Sequence, residues 1–257
     1  MEAFSEADLF LFLHVTDVHP YDAKDFKFST AVEAKLPLSE RLFTWNQPTA
    51  SVRLPNYEIY QQQFWAGLRR VDRTIGNLLS YIEENYADDD YIVNLYSDHG
   101  VSIFSTSSDG RADVIGEESS GATWMMRGAG VPQGIVTDEL TSAVDIYGAL
   151  GALCGFPVAA DIDGNLPALF GGKERDAVYT ASMFPGQTYK LAVRSKTHTL
   201  RVQTNEVVDE DGTVDFADAI TLIYPRGHEA QTGYETDSPA LHHFFYPRAR
   251  DFVKEIA

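Results

Sequence analysis

Cysteine is almost missing from this chain of 257 residues. Cys154 is the only one, so no disulfide can form within the chain. It closes the apolar run Tyr147–Cys154 with no Lys, Arg or His beside it, which predicts a buried small hydrophobe rather than a reactive thiolate. Positive charge is also scarce: 20 Lys and Arg stand against 38 Asp and Glu, a formal net charge of −18. Such a surface disfavours a phosphate backbone, so no nucleic-acid partner is expected. An anionic small molecule stays open, because one bound divalent cation reverses the local field. No apolar run approaches the length of a membrane span. The opening residues Met1-Glu2-Ala3-Phe4-Ser5-Glu6 are acidic rather than signal-like, which predicts a cytoplasmic protein if Met1 is the true start. A Gly-rich phosphate loop, a CxxC pair, an HExxH and a GxSxG elbow are all absent, and so are internal repeats.

What is present is the composition of a folded protein, 44% hydrophobic and 12% aromatic. Leu9–Val15 is a nearly continuous apolar run and reads as a buried central strand. A loop with Asp17, His19 and Pro20 follows it. Residues 22–56 show no period and carry Pro37, Pro48 and Pro55, which predicts an irregular connection. Tyr57–Tyr86 is the clearest helix: Phe64, Leu68, Val71, Ile75, Leu78, Leu79, Ile82 and Tyr86 recur every three or four residues. Tyr91–Tyr96 reads as a second apolar strand, stopping at Ser97-Asp98-His99-Gly100. Residues 101–121 read as a long loop, 122–126 as a short strand and 128–134 as a turn. Residues 142–153 read as a helix stopped by Gly155 and Pro157. From Asp176 the texture changes to strands at 177–182, 189–193, 197–203 and 219–224, with a hairpin-type turn at Asp209–Gly212. Residues 238–256 read as a terminal helix broken near Pro247. The expected architecture is an α/β core over residues 1–172 and an antiparallel sheet with a closing helix over residues 173–257.

Two loops leave the C-terminal ends of apolar strands, where ligands bind in open α/β sheets. One carries Asp17 and His19, the other Asp98 and His99. A carboxylate oxygen and an imidazole nitrogen are both good ligands for a divalent metal, which makes Asp98 and His99 the metal candidates. Gly100 lets the backbone turn without a Cβ clash. His19, stiffened by Pro20, is placed to contact an anionic ester and protonate a leaving oxygen. Asp17 is read as its orienting or backbone-binding neighbour, and His14 as a structural histidine. Lys190, Arg194, Lys196, His198 and Arg201 form a basic stretch in an acidic protein, and one or two of them are candidates to face an anionic group. His242 and His243 lie next to aromatics on the terminal helix and are read as structural.

The order of these pieces resembles the sulfatase family of the alkaline-phosphatase superfamily. It runs from the strand ending in Asp-x-His-Pro-Tyr, through the helix Phe-x-x-x-Leu-x-x-Val-Asp-x-x-Ile-Gly-x-Leu-Leu, to Ile-Val-x-x-x-Ser-Asp-His-Gly. Arg127–Gly134, Val144–Tyr147 and Asp163-Gly164-Asn165 follow. The resemblance covers residues 9–172 and implies a partial sulfatase-like α/β core with a C-terminal antiparallel sheet and helix subdomain. It implies that Asp98 and His99 are one pair of ligands to a divalent metal, calcium foremost, with manganese or zinc in phosphoryl-transferring relatives. It implies that His19 contacts the ester near the leaving oxygen, and by position that Lys196 binds substrate. Asp72 and Gly76 match structural helix positions, and Asp145 matches a structural or substrate-distal position. The implied reaction is metal-dependent sulfuric ester hydrolysis, on a small-molecule or glycan sulfate ester.

The family's other metal-ligand pair, two adjacent aspartates on a strand, and its Cys-x-Pro-x-Arg or Ser-x-Pro-x-Arg nucleophile motif are not found in this chain. The family lysine after Ser-Asp-His-Gly is missing too, since residues 101–126 carry Arg111 and no lysine. No nucleophile is therefore assigned, and the chain is expected to act as a fragment with little turnover unless a separately encoded N-terminal half completes it. A phosphoesterase or phosphoglycerol-type transferase of the same superfamily, and a non-catalytic binding remnant, are the alternative readings.

Overall fold

The computed structural model describes residues 8–15, 18, 57–101, 115–183, 187–207, 218–228 and 238–256. Asp17, His19, residues 22–56 and the turn at Asp209–Gly212 lie outside them. The chain divides into two compact units, Met1–Asn85 and Tyr86–Ala257.

In the first unit the apolar periodicity becomes helix α1, Tyr57–Asn85. Ile82 is buried, and Phe64, Val71, Ile75, Leu78 and Leu79 are half-buried on its inner stripe. Arg69, Asp72, Arg73, Asn77, Glu83 and Glu84 are exposed, as the amphipathic reading requires. Leu9–Val15 corrects the expectation. Residues 8–15 carry no regular structure, and Phe10 is 82% exposed. A strand apolar on both sides needs ladder partners at both edges and layers on both faces. Among the described residues of this unit no strand runs beside it.

The second unit opens with an antiparallel pair, β1 (Ile92–Tyr96) and β2 (Trp124–Gly128), in the register Ile92↔Gly128 to Tyr96↔Trp124. The Trp124 indole N–H donates to Asn94 Oδ1 across the pair at 2.7 Å. A single helical turn, α2 (Glu117–Ser120), precedes β2 within the stretch expected to be loop. Helix α3 spans Asp145–Cys154 and ends as expected at Gly155, whose φ of 73° is the left-handed conformation that glycine adopts without strain. Cys154 is exposed, not buried as expected. It is the last residue of α3, whose buried positions are Asp145, Gly148, Ala149 and Gly151.

Strands β3 (Val178–Ser182), β4 (Thr188–Arg194), β5 (His198–Val207) and β6 (Ile220–Pro225) form a four-stranded antiparallel meander in sequence order. Period-two alternation sends Tyr189, Leu191 and Val193 to one face. There they join Leu200, Val202, Ile223 and helix α4 (Pro239–Ile256) through Phe245 and Ala249. Ala192 and Arg194 on the opposite face are buried as well, so β4 is covered on both sides. Helix α4 runs on through Pro247 instead of breaking there. Proline removes one N–H and crowds the preceding turn. Phe245 and Ala249, buried on either side of it, hold the helix in register, and the Arg248 side chain donates to the Phe244 carbonyl at 2.8 Å. Arg248 also lies 3.8 Å over the Phe244 ring. Among the described residues no helix is long and apolar enough to cross a membrane.

Candidate functional site: the Ser97–Gly100 corner

The corner sits at the C-terminal end of β1. Ser97 is fastened to Thr123 twice: its N–H donates to the Thr123 carbonyl at 3.0 Å, and its Oγ accepts the Thr123 N–H at 2.9 Å. The Gly100 N–H donates to the Ser119 carbonyl at 2.9 Å. A Cβ on Gly100 would stand 2.0 Å from the Glu118 carbonyl oxygen and 2.6 Å from that of Gly121. Glycine is therefore required for close approach of two backbones, which is sharper than the turning role expected for it.

Between these anchors Asp98 and His99 project outward, with side chains 80% and 63% exposed. Asp98 Oδ1 accepts the His99 backbone N–H at 2.9 Å. His99 Nδ1 lies 2.6 Å from the Gly100 carbonyl oxygen. A carbonyl only accepts, so Nδ1 carries the proton and the lone pair is left on Nε2. That Nε2 is 3.5 Å from Asp98 Oδ2. Two donors this close can share one ion, whose ligand distances run about 2.0–2.6 Å. A ring nitrogen held by a backbone carbonyl while the other faces outward is the usual arrangement of a metal-binding histidine. The pair therefore fits a divalent cation as two of its ligands. Among the described residues no group of three or more His, Cys, Asp or Glu comes together to complete a coordination sphere.

Lys196 lies elsewhere. Its ammonium is 2.5 Å from Glu174 and 3.3 Å from Asp138. It lines an open cavity of about 560 Å³ with Ile135, Val136, Thr137, Asp138, Glu139, Ala168, Leu169 and Glu174. The hydrogen bond that the ammonium donates to Glu174, and then the one to Asp138, holds the lysine above its ordinary pKa. Three carboxylates against one ammonium leave this cavity net negative, a poor field for a sulfate ester. His19 lies outside the described residues.

Within the basic stretch Arg194 is structural. Arg194 is 3% exposed and donates to the Ile115 carbonyl and, at 3.2 Å, to Thr180 Oγ1. Arg226 forms an ion pair with Glu117. Asp145, expected to be structural, is 1% exposed and gathers three segments. It accepts the N–H of Ser142 at 2.8 Å and of Asn165 at 2.7 Å, and it pairs with Arg175. Arg175 and Arg226 were not legible as site-supporting residues, because their partners lie 30 and 109 positions away. The Arg194, Arg226 and Arg175 contacts all cross the expected boundary after residue 172.

The mixed helix and antiparallel-sheet architecture matches solved sulfatase structures, which carry an alkaline-phosphatase-like fold. BT1596, a 2-O GAG sulfatase, superposes with a TM-score of 0.60 at 16% identity over 98% of this chain and 54% of its own. BT4656, solved in complex with its substrate D-glucosamine-2-N, 6-O-disulfate, gives 0.55 at 18% identity over 91% and 45%. An endo-4-O-sulfatase of Bacteroides thetaiotaomicron is 27% identical over 146 residues, 53% of this chain and 29% of that protein. The sulfatase family model matches residues 5–156, more than half of the chain, and the chain belongs to the sulfatase family. It spans about half the length of the solved relatives and less of the endo-4-O-sulfatase.

Proposed function

We propose that this chain carries one side of a metal-dependent sulfuric ester hydrolase acting on a sulfated glycan. The family match over residues 5–156, with Asp98 and His99 presented at the end of β1, supports the reading best. Asp98 Oδ2 and His99 Nε2 would hold a divalent cation, calcium foremost, with manganese or zinc as alternatives. When bound, that cation neutralises the ester oxygens as charge develops on them. His19 would hold a proton near the leaving oxygen. The glycan class follows the relatives, one of which was solved with a glucosamine disulfate. Lys196 stays a weaker substrate candidate, because two carboxylates already engage it.

No cysteine or serine in a Cys-x-Pro-x-Arg or Ser-x-Pro-x-Arg context occurs in these 257 residues, so the covalent nucleophile must come from outside them. The test is arylsulfate hydrolysis with calcium, manganese or zinc, run on the chain alone and with a polypeptide supplying the nucleophile motif and the adjacent aspartates. Turnover is expected only with both present and only with metal. Robust activity of the chain alone would refute the reading, and hydrolysis of aryl phosphate in place of arylsulfate would shift it to a phosphoesterase.

A further inference from the structure

We infer that the C-terminal sheet sets the shape of the metal-binding corner, through Arg226 on Glu117 and Arg194 on Ile115. This deepens the proposed function and rests on Asp98 and His99 being metal ligands.

The corner has little freedom of its own. Ser97 is bonded twice to Thr123, and Gly100 is bonded to Ser119 while packed against the carbonyls of Glu118 and Gly121. Wherever residues 117–123 lie, the backbone carrying Asp98 and His99 must follow. Yet the helix in that segment is too short to be held by its own backbone bonds. α2 is four residues long, with Gly116 as its N-cap and no side-chain capping bond. One turn of helix is far below the length that is stable by itself in water.

Two arginines of the four-stranded sheet supply the fixing. Arg194 ends β4, is 3% exposed, and gives its guanidinium to the carbonyl of Ile115, itself 1% exposed. Arg226 follows directly on β6 and pairs with Glu117, the first residue of α2. The two anchors sit at the start of the segment, and the register of one sheet fixes their spacing. Arg226 and Glu117 act on the corner through α2, so they are positioning residues. Their side chains are 33% and 31% exposed, which leaves the pair replaceable without emptying the core. Arg194 is too buried to serve as a clean probe.

The experiment uses the full chain with Arg226→Gln, Glu117→Gln, Arg226→Lys and the charge swap Glu117→Arg with Arg226→Glu. Amide hydrogen exchange is read without metal, and calorimetric titrations use calcium, manganese and zinc chlorides. Arg226→Gln and Glu117→Gln are expected to speed exchange of the Ser97 and Gly100 amides about tenfold and to weaken the bound cation about tenfold, while β4 amides keep their wild-type rates. Arg226→Lys and the swap should recover most of both. Unchanged exchange at Ser97 and Gly100 would overturn the inference. So would equal acceleration in β4, which would mean a general loss of stability. If the wild-type chain, with its two ligands, binds none of the three cations, the exchange data alone decide the positioning claim, and the metal reading is decided by titrating the chain together with the polypeptide that supplies the adjacent aspartates.

Discussion

Asp145 and Arg175 offer the most direct measurement of what holds the second unit together. The Asp145 carboxylate is 2% exposed and the Arg175 side chain 16%. Asp145 accepts two backbone N–H groups, at 2.8 Å from Ser142 and 2.7 Å from Asn165, and Arg175 Nε at 3.0 Å. Arg175 also donates to the Asp163 carbonyl at 2.9 Å. Asp145→Ala strands a largely buried guanidinium and removes the acceptor of two amides. Breaking a buried pair in this way costs about 3–5 kcal/mol, with the cut amides placing Asp145→Ala toward the upper end. Arg175→Met leaves Asp145 its two backbone donors, so its cost should be smaller, about 2–3 kcal/mol. The double variant should cost clearly less than the two together, with a coupling energy of about 1–3 kcal/mol. Urea unfolding of all four proteins, followed by circular dichroism, measures the cycle. At roughly 2–4 °C per kcal/mol, Asp145→Ala should also melt about 10 °C lower. Additivity within about 0.5 kcal/mol, or a single variant indistinguishable from wild type, would refute the claim that the pair acts as a unit.

Other expectations follow from the same structure. Phe245→Ala empties a fully buried site between α4 and β4 and should cost about 3–5 kcal/mol in urea unfolding; a loss below about 1 kcal/mol would mean the sheet collapses onto the gap. Gly100→Ala drives a Cβ into two carbonyl oxygens that belong to backbone and cannot swing away, so it should destabilise by about 1–3 kcal/mol and abolish calorimetric cation binding; wild-type affinity would show that the corner relaxes freely. Burial pushes the Tyr189 phenol from 10.0 up to about 12. The folded state then keeps a proton that the unfolded state releases, so stability is whole below pH 10 and falls as pH rises from 10 to 12, by about 1.4 kcal/mol per unit. Tyr189→Phe should flatten that part of the urea-midpoint profile, and an unaltered alkaline slope would contradict the assignment.

The elements that were legible in the sequence are those whose signal is local. The period of Phe64 to Ile82 set α1, Gly155 stopped α3, and alternation marked the four strands from β3 to β6 to within a few residues. Asp98 and His99 were legible as a pair presented at a strand end beside a glycine, and the structure places them at the end of β1. The misreadings have one physical origin. Leu9–Val15 is apolar enough for a central strand, yet a strand exists only with neighbours to pair it. Pro247 carries a breaking signal, but packing at Phe245 and Ala249 overrides it.

Membership of the sulfatase family was thus written in the order of local motifs, because each rests on residue types a few positions apart. What holds the corner was decided only in three dimensions. The requirement for glycine at 100 comes from the carbonyls of Glu118 and Gly121, and the pairing of Arg226 with Glu117 spans 109 positions. A sequence shows that an arginine carries charge. Only the closed sheet determines which carboxylate or carbonyl that charge will meet, since burial, register and distance arise when segments remote along the chain are packed against one another.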